Sequence, residues 1–300
     1  MRLTPYPAHL AAALTLAIFL ALTSLAAAAP PDRVDMKRVT QSREAVVNYW
    51  TKARMENAIP VEQVRGQGSG GAERAAAPAP AREWPGPYTE YPASTHGKVF
   101  FTLNGSNFVC SGTALNSTNR SVVWTAGHCL NEGPGAFATN FAFVPAYRDG
   151  ARPFGTWTAR TLMTTSAWAN QGDFSYDVGA AVMNTTGGSA LTDVVGGRGI
   201  AFNYNRNQFY TSFGYPAAPP FNGQRLWICE SPLITNDPSA SPPTMGIDCD
   251  MTGGSSGGGW IVGNSVYSVN SYGYLNQPGV MYGPYQDSVA QSVYNQASVR

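Results

Sequence analysis

From Val99 onward the sequence consists of short apolar or alternating runs separated by Gly, Asn and Pro. Runs this short, with turn residues between them, predict strands rather than helices. The predicted strands cover residues 99–103, 121–125, 140–144, 178–183, 210–213, 224–229, 260–262 and 265–269. Only the C-terminal end, with Val289 and Val293 four residues apart, predicts a helix. The pattern therefore predicts an all-β sandwich or barrel architecture.

Charged residues divide the chain into three parts. Residues 1–29 contain only Arg2, residues 30–99 contain 10 basic and 8 acidic residues, and residues 100–300 contain 8 basic and 10 acidic residues. The last part has no lysine and no basic run, so the positive surface required for binding nucleic acid is absent. With three histidines in the whole chain, a zinc site built on histidines is not expected either. We predict no metal, no cofactor and no nucleic-acid partner.

The N-terminus has the form of a secretory signal peptide, which we assign to residues 1–29. An apolar run over residues 10–29 follows Arg2 and ends in four alanines before Pro30. Small residues at this point are typical of a signal-peptidase site, so cleavage is predicted near Ala27 or Ala28. The alternative is an uncleaved membrane anchor, because the run is about as long as a bilayer requires. After cleavage no membrane contact is expected.

Residues 30–97 are predicted to be a prosegment followed by a linker. Val46, Trp50 and Asn57 belong to a helical spacing within residues 30–65, which predicts one short amphipathic helix. Residues 66–87 are rich in Gly, Ala and Pro, the composition of a flexible linker. A disordered tether is the alternative interpretation.

All four cysteines follow these segments, at Cys110, Cys129, Cys229 and Cys249. An even number in an exported chain favours two disulfides. Chain order suggests Cys110 with Cys129 and Cys229 with Cys249, but three pairings are possible. A four-cysteine zinc site lacks its usual CxxC spacing here.

Three segments carry residues suited to nucleophilic catalysis. Residues 254–258 (GSSGG) place Ser256 in a glycine run, where bare backbone N–H groups can form an oxyanion site. His128 ends the apolar run of residues 121–125 and precedes a cysteine. Asp177 leads into another apolar run, so its carboxylate is expected to be buried against a partner such as an imidazole N–H. Asp173, which lacks a following apolar run, is the competing acid.

The order of these residues excludes other hydrolase types. No histidine follows Ser256, which rules out the Ser, acid, His order of lipases and esterases. The aspartates before His128 are Asp32 and Asp35, both in the predicted prosegment, which argues against a subtilisin order. A cysteine protease would need Cys110, which is better used in a disulfide. The order His, Asp, Ser remains.

The segments 125–129 (TAGHC), 177–180 (DVGA) and 254–258 (GSSGG), in this order, resemble those of the trypsin/chymotrypsin-like serine proteases. Residues 108–115 resemble the strands that carry the family's first disulfide, and residues 214–216 (GYP) resemble a turn of its glutamyl-endopeptidase branch. The likeness implies two packed six-stranded β-barrels, about residues 98–190 and 200–300, with a short C-terminal helix. It covers a protease domain of residues 98–300, with residues 184–199 crossing between the barrels.

The resemblance also implies roles for individual residues. Ser256 is the nucleophile, His128 the general base and Asp177 the acid that orients it, with the N–H groups of Gly254 and Ser256 as the oxyanion hole. Ser271 corresponds to a serine that lines the primary pocket and holds the acid.

Asp250 stands six residues before the nucleophile, where trypsin-like enzymes bind a basic P1 side chain and glutamyl endopeptidases often also carry aspartate. Capping of a loop beside Cys249 is the structural alternative for Asp250. Asn270 stands where glutamyl endopeptidases have a pocket histidine. Ser255 replaces the aspartate that pairs with a new N-terminal amine in trypsin-like zymogens, so activation by that ion pair is not expected.

The sequence thus predicts a secreted, extracellular, monomeric serine endopeptidase acting on protein or peptide substrates, with its own prosegment as a further partner. The alternative is a protease-fold binding module without catalytic activity. The P1 preference, the natural substrate and the mature N-terminus are left open.

Overall fold

A computed structural model of the chain describes residue 1, residues 34–61, the backbone of residues 64–65, and residues 80–300. The predicted signal peptide and residues 66–79 of the predicted linker therefore lie outside the described residues, apart from Met1. Among the described residues, no helix combines the length and the apolar character needed to cross a membrane.

The described part of the predicted prosegment contains strands as well as helices. Its elements are β1 (Val34–Arg38), α1 (Arg43–Tyr49), α2 (Lys52–Glu56), β2 (Ile59–Pro60), β3 (Val64–Arg65) and β4 (Arg82–Glu83). The prediction of a single amphipathic helix is wrong, because Thr51 adopts an extended conformation and caps a second helix by accepting from the N–H of Arg54. The linker prediction is also wrong at residues 82–83, which pair with a strand of the protease body.

Six strands form the first barrel. They are β5 (His96–Leu103), β6 (Ser106–Leu115), β7 (Val122–Thr125), β8 (Thr139–Pro145), β9 (Trp157–Thr165) and β10 (Gly179–Met183). The order β8-β5-β6-β7-β10-β9 is closed by pairing between β9 and β8. Helix α3 (Ser166–Gln171) follows β9. Phe100, Trp124 and Phe143 lie on these strands and are fully buried, which explains why the corresponding sequence segments are apolar.

The chain then crosses to the second barrel through α4 (Leu191–Val195) and β11 (Gly199–Ile200). The second barrel contains β12 (Phe209–Gly214), β13 (Trp227–Asn236), β14 (Met245–Asp248), β15 (Gly259–Val262), β16 (Ser265–Val269), β17 (Gly273–Tyr274) and β18 (Val280–Gly283). The sheet order is β16-β15-β12-β13-β14-β18. A single bridge between Tyr272, just after β16, and Tyr282 of β18 joins its two ends. The final helix, α5 (Ser288–Ser298), packs back on β9 and β10 of the first barrel.

This architecture confirms the predicted fold class. The first barrel is closed by strand pairing, whereas the second is a curled six-stranded sheet joined at its edges by one bridge. The C-terminal helix is confirmed, with Asp287 as its N-cap. Among the twelve strands of the two barrel orders, β9, β14 and β18 were not predicted from sequence.

Both predicted disulfides are confirmed. Cys110 pairs with Cys129 within the first barrel, and Cys229 pairs with Cys249 within the second. Each bond joins cysteines 19 or 20 residues apart in sequence. The first one holds the turn that carries His128 against β6.

Candidate active site

His128 and Asp177 meet where two paired strands place their ends together. His128 lies in a single 3-10 turn directly after β7, and Asp177 lies just before β10. Because Gly179 pairs with Thr125, the end of β7 is adjacent to the start of β10. Asp177 Oδ2 is 2.7 Å from His128 Nδ1, and Asp177 Oδ1 accepts from the backbone N–H of His128 at 2.8 Å. The carboxylate thus fixes both the backbone and the ring of one residue.

A third hydrogen bond to Asp177 comes from the second barrel. Ser271 Oγ donates to Asp177 Oδ2 at 2.5 Å. Asp177 is fully buried, so these three donors supply the partners that a buried carboxylate requires. Asp173 instead accepts from the backbone N–H of Ser175 at 2.9 Å and caps a 3-10 turn. Of the two acids considered from sequence, Asp177 is the one that contacts the imidazole.

Ser256 lies in a loop in which several positions can be occupied only by glycine. Gly254 has φ +95°, in the left-handed region. At Gly258 an added Cβ would collide with the backbone carbonyl of Phe213. The loop is therefore packed directly against β12, and its glycines are required by space and by conformation.

Every backbone carbonyl from residue 252 to residue 256 accepts a hydrogen bond, which fixes the orientation of each peptide plane in the loop. The donors are Ser255 Oγ to Thr252 O at 2.8 Å, Ala217 N to Gly253 O at 2.7 Å, Ser111 Oγ to Gly254 O at 2.9 Å, Asn270 Nδ2 to Ser255 O at 3.1 Å and Ser111 N to Ser256 O at 2.7 Å. None of these donors is a charged group. The loop is thus held by uncharged donors, without the ion pair that an aspartate at position 255 makes in trypsin-like enzymes.

The serine and the imidazole are on the two sides of one cleft. Ser256 lines a cavity of about 370 Å³ in the second barrel, and His128 lines a cavity of about 550 Å³ beside the first. Val61 borders both cavities. The Nε2 atom of His128 is buried and has no hydrogen-bond partner among the described residues, so it is not bonded to Ser256 Oγ.

Asp250 lines the same cavity as Ser256. Its Oδ1 accepts from the backbone N–H of Ala81 at 2.7 Å, so it caps the segment before β4 and also faces the cavity. Among the described residues that line this cavity, Asp250 is the only formally charged one.

A buried carboxylate, that of Asp237, lies behind the cavity wall and was not predicted from the sequence. Tyr272 and Tyr274 line the cavity, and both hydroxyl groups donate to Asp237 Oδ2 at 2.6 Å. Burial alone would raise the pKa of Asp237, but the hydroxyl donors of Tyr272, Tyr274 and Ser239 outweigh it and lower that pKa. Asp237 lies about 20 residues before the serine loop in a turn-like sequence, which gives no local sign that it supports a pocket.

One group of side chains has the proximity of a metal site. The Sγ atoms of Cys110 and Cys129 and a ring nitrogen of His128 lie within 4.8 Å of one another. The two sulfurs form a disulfide, however, and a disulfide offers no thiolate to a metal. The described residues contain no other such cluster.

No family model matches the chain. One curated protein, the extracellular metalloprotease of Bacillus subtilis (strain 168), is 25% identical over 101 residues, which are 34% of this chain. The chain spans only 31% of the length of that protein.

Solved structures give a far more extensive match. Protease Anisep from Arthrobacter nicotinovorans is 54% identical, with a TM-score of 0.67, and the match covers 71% of this chain and 99% of that chain. The chain belongs to the trypsin/chymotrypsin-like family of serine proteases. The thermostable serine protease AL20, from an extremophilic microorganism, is 51% identical with a TM-score of 0.65, covering 68% and 97%. A Glu endopeptidase shares the fold at 18% identity, with a TM-score of 0.61 and coverage of 75% and 99%.

As a family member the chain is a serine-type endopeptidase. The matches include nearly the whole of both proteases. More than a quarter of this chain lies outside each match.

Proposed function

We propose that this protease hydrolyses peptide bonds through His128, Asp177 and Ser256. The observation that carries the proposal is the buried carboxylate of Asp177, bonded to Nδ1 and to the backbone N–H of His128 on the cleft that contains Ser256. With its Nδ1 proton held by Asp177, the imidazole offers the lone pair of Nε2 to the serine hydroxyl.

The reaction then proceeds in two balanced halves. Ser256 Oγ bonds to the scissile carbonyl carbon while its proton moves to His128 Nε2, and that proton passes to the leaving amine as the peptide C–N bond breaks. Water next attacks the acyl-enzyme, gives a proton to Nε2 and releases the acid, and the proton returns to Ser256. The N–H groups of Gly254 and Ser256 stabilise the oxyanion, and losing one such donor typically costs about 100- to 1,000-fold in rate.

The cavity beside Ser256 supports cleavage after a basic residue. A P1 side chain entering it meets Asp250 as the only formally charged described group, and a carboxylate favours an arginine or lysine and repels a glutamate. Digestion of a peptide library tests this. A basic P1 preference that is lost in Asp250→Asn supports it, and cleavage after glutamate contradicts it.

We further propose that residues 1–29 are a secretory signal and residues 30–97 a prosegment of an extracellular, monomeric enzyme. Two disulfides fit an oxidising compartment. The prosegment is supported as a partner by Val61, which borders both halves of the cleft.

Labelling distinguishes this enzyme from a binding module with the same fold. A fluorophosphonate probe should modify Ser256 of the matured protein, and Ser256→Ala should remain unlabelled. Absence of labelling in matured wild-type protein would favour the binding module.

A further inference from the structure

The prosegment places a backbone carbonyl at the oxyanion site. The carbonyl oxygen of Val61 accepts a hydrogen bond of 3.1 Å from the N–H of Gly254. On its other side Val61 donates its N–H to the carbonyl of Val109 at 3.3 Å. A substrate would offer its scissile carbonyl to the same Gly254 donor, so Val61 and a substrate compete for one position.

Strand pairing defines the direction in which this segment runs. Strand β2 pairs in parallel with β6, with Ile59 opposite Phe108 and Pro60 opposite Val109. Ile59, Pro60 and Val61 line the cavity that contains His128. Strand β3 then pairs in parallel with β17, whose residues line the cavity that contains Ser256 and Asp250. From N to C the prosegment therefore passes from the His128 side to the Asp250 side.

A productive substrate must run the other way. The residue that supplies the acyl group puts its side chain in the cavity of Asp250, so the N-terminal part of the substrate lies there. The leaving amine must reach Nε2 of His128, so the C-terminal part lies on the His128 side. This step rests on the catalytic roles and on the pocket assigned under Proposed function.

We propose that strand β2, Val61 and strand β3 bind in the catalytic cleft in the direction opposite to that of a substrate, and so block the enzyme without being cut by it. The carbonyl of Val61 occupies the Gly254 donor that a scissile carbonyl would use, but the chain continues from it to strand β3 on the Asp250 side. Attack by Ser256 would give a tetrahedral adduct whose leaving nitrogen His128 cannot protonate. The C–N bond would therefore not break, and the adduct would return to the intact peptide.

Cysteine cross-linking tests the direction without using activity. In full-length chains that carry Ser256→Ala to prevent processing, Ile59→Cys is combined with Phe108→Cys, and Arg65→Cys with Tyr274→Cys. Both pairs are backbone partners in the structure and are expected to form disulfides under mild oxidation. The exchanged pairs, Ile59→Cys with Tyr274→Cys and Arg65→Cys with Phe108→Cys, should not. Cross-linking of the exchanged pairs alone would overturn the proposal, as would the absence of cross-links in all four.

Resistance to cleavage is tested in the active full-length chain. Val61 is replaced by the P1 residue that the matured enzyme prefers, and the products are followed by intact mass. The bond after residue 61 should stay intact in the unprocessed chain, with Val61→Ala as the control. Concentration-independent cleavage after residue 61 would show a substrate-like direction and contradict the proposal.

Fluorophosphonate labelling accompanies the cleavage experiment, in chains that keep Ser256. The full-length chain should label at least about 100-fold more slowly than its matured form, since one oxyanion donor is occupied. Equal rates would exclude a block of the cleft. A matured enzyme that neither labels nor cleaves peptides would refute the proposed function instead, while the cross-links would still report the direction.

Discussion

At the residue scale, the side chain of Asn270 fixes the conformation of the loop that contains Ser256. It is fully buried, and all four hydrogen-bonding positions of its amide are used. Its Nδ2 donates to the carbonyl of Ser255, which belongs to the same peptide plane as the N–H of Ser256. The amide thus fixes the direction of one proposed oxyanion donor. Its remaining contacts are Nδ2 to Phe213 O at 3.1 Å, Ser212 Oγ to Oδ1 at 2.7 Å and Trp260 Nε1 to Oδ1 at 2.7 Å.

Replacement of Asn270 by aspartate should lower kcat by about 100- to 1,000-fold with little change in KM, because a carboxylate oxygen would face the Ser255 carbonyl and turn the donor of Ser256 away. Separate measurement of kcat and KM tests this. Ser212→Ala is the control, since it removes one bond to Asn270 and keeps both donors, and it should cost less than about 10-fold. A rise in KM without a fall in kcat would argue for a merely structural role.

The two acids differ enough in their contacts to be separated by substitution. Asp177→Asn should reduce kcat by about 10,000-fold, the scale typical of removing this charge from a Ser-His-Asp enzyme. Asp173→Asn removes a charge that does not contact His128, keeps an oxygen that can accept from the N–H of Ser175, and should leave kcat within a factor of a few. Steady-state kinetics of both variants is the measurement, and the reverse ranking would transfer the acid role to Asp173.

At the element scale, the proposed prosegment belongs to the main hydrophobic cluster rather than only covering the cleft. Strand β1 extends the sheet by pairing with β9. Trp50, at the end of α1, is 1% exposed, contacts Phe100 at a ring distance of 5.4 Å and donates Nε1–H to the carbonyl of Asn140 at 2.6 Å. Val46 and Met55 are buried beside it. These contacts hold the segment that leads to Val61.

Truncation of Trp50 should therefore release the prosegment. In the full-length Ser256→Ala chain, Trp50→Ala should lower the free energy of unfolding by about 3–5 kcal/mol, the usual cost of emptying a buried aromatic site. Urea unfolding is the measurement. Lys52→Ala is the control, because Lys52 is exposed and, among the described residues, forms an ion pair only with Glu56 on the surface, and it should cost under about 1 kcal/mol. Equal effects of the two variants would mean that the prosegment is not docked through Trp50.

At the scale of the whole molecule, the two barrels are joined by buried polar contacts near the cleft. Lys98 of β5 donates from Nζ to the carbonyl of Gly223 in the second barrel at 2.8 Å. The ammonium lies 5.2 Å from the ring centre of Phe100 and 4.9 Å from that of Tyr147. No salt bridge is recorded for Lys98 among the described residues, and burial lowers its pKa to about 8.

This lysine should make stability rise with pH above 8. In the unfolded chain the Lys98 ammonium has a pKa of about 10.4, whereas in the folded chain its pKa is about 8. Between these two pH values the unfolded state therefore binds more protons than the folded state. The free energy of unfolding should increase by on the order of 1 kcal/mol per pH unit from pH 8 to 10. Chemical denaturation across this range is the measurement. Lys98→Met should give a flat profile, and a parallel rise in that variant would assign the effect to other groups.

Local sequence determined a large part of this protein. The all-β class and the C-terminal helix followed from runs of neighbouring residues, as did the choice of His128, Asp177 and Ser256 as candidate residues. A strand or a glycine loop is encoded by side chains that are close in sequence, through periodicity and backbone conformation. Where that local signal was weak, as in β9, β14 and β18, the strands were not predicted, because their stability depends on the partners that each strand pairs with.

Only the tertiary structure decided which distant residues meet. It brought Ser271 and His128 to Asp177, chose among three disulfide pairings, and placed Asp237 behind the two tyrosines of the pocket. It also showed that residues 30–65, predicted to contain one helix, contain two helices and three short strands, and that the carbonyl of Val61 accepts from the N–H of Gly254. Apart from the break between the two helices, where Thr51 caps the second helix locally, each of these depends on bonds or packing between residues that are distant in sequence. The periodicity of neighbouring residues does not encode which distant residues meet.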